Sequence, residues 1–115
     1  MSNLCILFGE ILVKTEKDAT KIHDILKRRI FVDTFDYQPE NQLLILDVGF
    51  DKLKIIHWLE KYVYKKFSES MPENAFSRLY FKEGQYLSCI YFGNNMYEIM
   101  DYPMPEVPFW WQGEV

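Results

Sequence analysis

Apolar and polar positions along this chain change period several times, and each change marks an element. The run LCILFGEILV (Leu4 to Val13) is almost continuously apolar and rich in strand formers, with Gly9 placed for a bulge. After it, Ala19, Ile22, Leu26 and Ile30 recur at helical spacing with Ile25 beside them, which predicts a helix from Glu16 to Arg29. Thr15 is its N-cap, and Asp18 stands where a capping box puts Glu. Residues 31–50 then read as a hairpin. Phe31, Asp33, Phe35 and Tyr37 alternate with Val32, Thr34 and Asp36, QPEN supplies the turn, and LLILDV is apolar enough to return as a central strand.

Helical spacing resumes in KLKIIHWLEKYVYKKF. Leu53, Ile56, Leu59, Val63 and Phe67 form its buried stripe, with Asp51 as cap. The loop SESMPENA separates this helix from three β-like runs, 76–82, 85–92 and 96–101. Glu83-Gly84 and Gly93-Asn94-Asn95 divide them as hairpin turns. Residues 103–115 form a Pro-rich aromatic tail on a single domain of residues 1–102.

The order β-α-β-β-α-β-β-β predicts an α+β fold, an antiparallel or mixed sheet with both helices on one face. Its first six elements follow a ferredoxin-like order, and the last two strands extend it as a meander. A turn at Glu83-Gly84 sets Phe81 opposite Tyr86. A three-residue loop at 93–95 sets Phe92 opposite Met96. One face of the meander then carries Phe76, Tyr80, Leu87, Cys89, Tyr91, Tyr97 and Ile99, apolar enough for the core. The other carries Phe81, Tyr86, Ser88, Ile90, Phe92, Glu98 and Met100, and is assigned outward. A one-residue change of register would exchange the faces of the last strand.

Composition adds an asymmetry that the pattern does not show. The chain has 115 residues, 26% of them charged and 17% aromatic, with a net charge of −4. All 13 Lys and Arg precede Glu83. From there the charges are Glu83, Glu98, Asp101, Glu106 and Glu114, set among Tyr86, Tyr91, Phe92, Tyr97, Tyr102, Phe109, Trp110 and Trp111. The first residues lack the basic start of a signal peptide, and no run reaches the ~20 apolar residues of a membrane span. Cys5 and Cys89 sit among apolar neighbours and read as buried free thiols, which fits a reducing cytoplasm.

Candidate chemistry is thin. Lys27, Arg28 and Arg29, like Lys61, Lys65 and Lys66, are read as helix-end charges that complement the macrodipole, not as a nucleic-acid surface. His23 and His57 lack metal-ligand spacing. Asp33, Asp36, Asp47 and Asp51 gather near one end of the central hairpin, where carboxylates bind cations or do acid–base work, but Asp47 and Asp51 also suit a strand-to-helix turn. No phosphate-loop, dinucleotide or nucleophile-elbow motif is present. The expectation is a protein without catalytic residues, cofactor or metal.

What remains is the acidic, aromatic C-terminal third, whose composition is that of a protein–protein interface. The tail either covers the sheet or reaches a partner. The leading expectation is a non-enzymatic inhibitor that binds a basic protein. Its concrete form is a small bacterial immunity or antitoxin-like protein that neutralises a nuclease-type toxin. Tyr86, Phe92, Glu98, Asp101, Glu106, Trp110 and Trp111 are the partner-binding residues. The alternatives are a ligand-binding or regulatory domain, and an inhibitor of another basic protein such as a phage-encoded one. Neither nucleic acid nor membrane is expected as partner.

Overall fold

In the computed structural model, which describes residues 5–28, 30–50, 55–101 and 108–113, six strands form one antiparallel sheet. The elements run β1 (Cys5–Leu12), α1 (Glu16–Leu26), β2 (Ile30–Gln38), β3 (Leu43–Phe50), α2 (Ile55–Ser70), β4 (Phe76–Glu83), β5 (Tyr86–Gly93) and β6 (Met96–Asp101). The order across the sheet is β2-β3-β1-β4-β5-β6. β1 and β2 both run antiparallel to β3, which fills the gap left by the α1 crossover. β3 and β4 both flank β1, which fills the gap left by α2. Two split β-α-β units therefore interlock in ferredoxin-like order, and β5 and β6 extend them.

Alternation decides what lies under the helices. Leu7 and Ile11 of β1, Leu44, Leu46 and Val48 of β3, and Leu79 and Phe81 of β4 are all buried on the helix side. Ala19, Ile22 and Leu26 of α1 meet them there, with Ile55, Leu59, Val63 and Phe67 of α2. Thr15 caps α1, its hydroxyl accepting from the Asp18 amide at 3.1 Å, and the helix ends at Lys27, earlier than its apolar repeat predicts. Gly9 faces this core with φ at 133°, and a Cβ there would lie 3.2 Å from the Leu79 side chain. Both conditions require glycine.

α2 is not uniform. Ile55–Trp58 and Lys65–Ser70 are α-helical, and Leu59–Tyr64 between them is π-helical. The wider turn brings both Val63 and Tyr64 to the core, and the Tyr97 hydroxyl donates to the Glu60 carbonyl at 3.4 Å. Two sequence expectations change here. Ile55 is buried and Ile56 is 46% exposed, the reverse of the predicted stripe. The helix runs on to Ser70, so Lys61, Lys65 and Lys66 lie within it and do not end it. Lys66 instead pairs with Asp18 of α1 at 3.6 Å. Asp51 and Leu53, the predicted cap and first apolar position, lie outside the described residues, as does Arg29.

The meander differs from its predicted register. Glu83 pairs with Tyr86, so the first turn is Gly84-Gln85, with Gly84 at φ 59° in the position a type II′ turn reserves for glycine. Gly93 pairs with Met96, so the second turn is Asn94-Asn95 at φ 54° and 59°. Positive φ at both positions marks a two-residue type I′ turn. Shortening the loop by one residue sets Phe92 opposite Tyr97 and joins the faces in a different combination. Leu79, Phe81, Ile90 and Phe92 go to the main core together with Tyr97 and Ile99. Phe76, Tyr80, Cys89 and Tyr91 go to the opposite face with Met100. Cys5 and Cys89 are buried free thiols, as the sequence implies.

Candidate functional site

The face of the sheet away from the helices is chemically mixed. One row crosses all six strands: Asp36, Ile45, Glu10, Arg78, Tyr91 and Glu98. The next holds Thr34, Asp47, Phe8, Tyr80, Cys89 and Met100. Phe8 and Tyr80 stack with ring centroids 5.5 Å apart. Ile6, Leu12, Leu43 and Ile45 add half-buried apolar surface. Four acids, Glu10, Asp36, Asp47 and Glu98, thus share this face with two bases, Arg78 and Lys82, among the described residues.

The tail closes part of it. The Trp111 amide donates to the Pro108 carbonyl at 3.0 Å, which makes Pro108–Trp111 a tight turn. Trp111 is 6% exposed. Its indole N–H donates to the Ser77 carbonyl at 3.2 Å, and its ring meets Tyr91 edge-on at 5.0 Å. The Arg78 guanidinium lies over the Trp111 ring at 5.5 Å and the Tyr80 ring at 6.0 Å. Trp110 donates its indole N–H to Glu98 Oε1 at 3.0 Å. Its ring passes Gly93 so closely that a Cβ would come within 3.3 Å, and within 2.5 Å of Phe76. Phe109, at the tip of the turn, is 99% exposed.

Beside Trp111 the sheet carries a cleft of about 520 Å³. Leu12, Leu43, Phe76, Tyr80 and Trp111 give it apolar and aromatic walls, and Glu10 and Arg78 are its charged groups. Burial beneath the tail pushes the Cys89 thiol up, although a hydrogen bond from Tyr91 and the charge of Arg78 oppose the shift. Burial likewise raises the Tyr91 phenol, with Cys89 adding to the shift and Arg78, which hydrogen-bonds the phenol oxygen, opposing it.

The residues read from the sequence as partner-binding do not form one patch. Phe92 is 0% exposed in the main core, because the face it shares with Phe81 and Ile90, expected to point outward, is the one the helices cover, and there it meets Phe67 edge-on. Tyr86 and Asp101 lie on the helix side at the free end of the meander, joined by a short hydrogen bond from the phenol to the carboxylate. That bond, then burial and the charges of Asp101 and Glu83, push the Tyr86 phenol up to about 12. Glu98, Trp110 and Trp111 belong to the outer face, and Glu106 lies outside the described residues. Asp36 and Asp47 are diagonal neighbours on that same face, whereas Asp51 and the Asp33 side chain lie outside the described residues. No group of three or more His, Cys, Asp or Glu gathers in metal-binding geometry among the described residues.

Sequence reasoning missed Arg78, Tyr80 and Glu10, which come together from two strands nearly 70 positions apart in register, and Phe109 as the exposed member of the Phe-Trp-Trp triplet. No family model matches the chain, and no curated protein or solved structure matches it. Function is therefore argued from the site alone. No helix of the described residues is long and apolar enough to cross a membrane.

Proposed function

We propose that this is a non-catalytic binding protein that holds and neutralises a basic protein partner. The observation that carries this reading is the outer sheet face, which neither helix covers and where four acids and two bases stand among apolar and aromatic side chains. Acids steer a basic partner into contact, and desolvated apolar and aromatic groups then supply most of the affinity. The concrete form is a bacterial immunity or antitoxin-like inhibitor of a nuclease-type toxin, since a nuclease presents a basic cleft to the phosphate backbone. An inhibitor of another basic protein, such as a phage-encoded one, uses the same surface. Phe109 suits such a role, because the hydrogen-bonded turn holds its ring 99% exposed.

The test is capture of the intact chain's partner in its native host, followed by reconstitution. One basic protein at near one-to-one ratio is the expected result. Its on-rate should fall steeply with salt, as the Debye length shrinks from ~30 Å at 0.01 M to ~10 Å at 0.1 M. A rate indifferent to salt removes the electrostatic part of the reading. A partner without nuclease activity removes the toxin version.

A further inference from the structure

The same face holds a feature that partner steering does not use. Arg78 is a half-buried cation whose guanidinium is laid between the rings of Tyr80 and Trp111 and gives one hydrogen bond to the Tyr91 oxygen. A guanidinium has five N–H donors. No carboxylate of the described residues pairs with it, although Glu10 stands directly across the β1–β4 ladder. Arg78 therefore presents a planar donor edge to a cleft whose other walls are Leu12, Leu43, Phe76 and the two rings.

We propose that this cleft binds a monocarboxylate carried on an apolar, ring-sized body. The carboxylate takes the free fork of Arg78, a geometry that guanidinium and carboxylate share. The body lies on Leu12, Leu43 and Trp111. A volume of about 520 Å³ falls in the range of small-molecule sites, roughly 300–1,000 Å³, and exceeds what acetate needs. Glu10 sets the charge limit. Its carboxylate beside the site repels a second negative charge, so phosphate and dicarboxylates are disfavoured. This inference does not rest on the partner reading, because it concerns a free ligand and the isolated chain.

The test is amide NMR on the intact chain, titrated with phenylacetate, its neutral isostere phenylacetamide, and inorganic phosphate. Phenylacetate should give saturable shifts at Gly9, Glu10 and Arg78 and at the Trp111 indole N–H, with a dissociation constant of about 1 mM or below. Phenylacetamide and phosphate should each bind at least about tenfold more weakly. Arg78→Met should abolish the response. Because that change also removes the cation held against Trp111, Leu43→Phe serves as a second variant. It fills the cleft from β3 and leaves Arg78 and the tail in place, and it should abolish binding with the Trp111 indole signal unmoved. If phenylacetate gives no saturable shift, or binds no better than phenylacetamide, or binds Leu43→Phe as well as the parent chain, Arg78 is only a strut for the tail and the proposal is wrong.

Discussion

Phe109 and Trp111 stand two residues apart and do opposite things, and their surroundings say why. Trp111 gives its indole N–H to a buried carbonyl and its ring to Tyr91 and Arg78, whereas Phe109 is almost wholly exposed. Trp111→Ala should cost about 3 kcal/mol, at the lower end for a large buried ring because the turn can partly collapse. Phe109→Ala should leave stability within about 0.5 kcal/mol while weakening partner binding by ~2 kcal/mol or more. Denaturant melts and affinities on both variants check this, and a destabilised Phe109→Ala would refute the turn geometry. Tyr86 gives a second test. Its folded pKa of about 12 exceeds the unfolded value near 10, so the folded chain holds this proton more tightly. The stabilisation is complete below pH 10 and is lost as the pH rises from 10 toward 12. Titration by phenolate absorbance should show one tyrosine near 12, and Asp101→Asn should return it toward 10.

At the scale of elements, much was legible. Local patterns named every strand and both helices in order, because period 2 and period 3.6 leave different marks. Register was not legible, since it hung on whether Gly93 joined the second turn. Only the positive φ of both asparagines decides that, and the one-residue difference moved Tyr97 and Ile99 to the face of Phe92. Which face of the meander is covered was also not legible. Both faces are apolar, and the cover on one of them is the tail, a non-local contact. The π-helical turn of α2 was hidden because Val63 and Tyr64 are both apolar and fit either spacing. The site suffered most, because Arg78 acquires its setting from β1, β5 and the tail together. α2 yields one further prediction. Ser70 Oγ is buried at its last residue with no hydrogen-bond partner among the described residues. Removing a buried unsatisfied hydroxyl recovers part of a desolvation cost of roughly 1–3 kcal/mol. Ser70→Ala should therefore raise the melting temperature, and a fall would mean that the hydroxyl has a bound water or another partner.

The whole molecule is a sheet with two unequal covers. Two helices close one side over a large core, and a four-residue turn closes part of the other over Cys89 and Tyr91. The small cover depends on the large one, but the reverse does not hold. Deleting residues 108–115 therefore should not unfold the protein, although losing Trp111 and half-buried Trp110 should cost several kcal/mol out of the ~5–15 kcal/mol typical of a domain. The two cysteines report on the two sides separately. Cys5 is fully buried in the main core, and Cys89 is fully buried beneath the tail. In the intact chain both should react slowly with a thiol reagent, Cys89 doubly so because burial raises its pKa and leaves little thiolate. In the truncated chain Cys89 should label far faster while Cys5 stays protected and the far-ultraviolet circular dichroism keeps its shape. If both thiols open together, the covers are one cooperative unit. If Cys89 stays slow, the tail is not what covers it, and the placement of Trp111 is wrong.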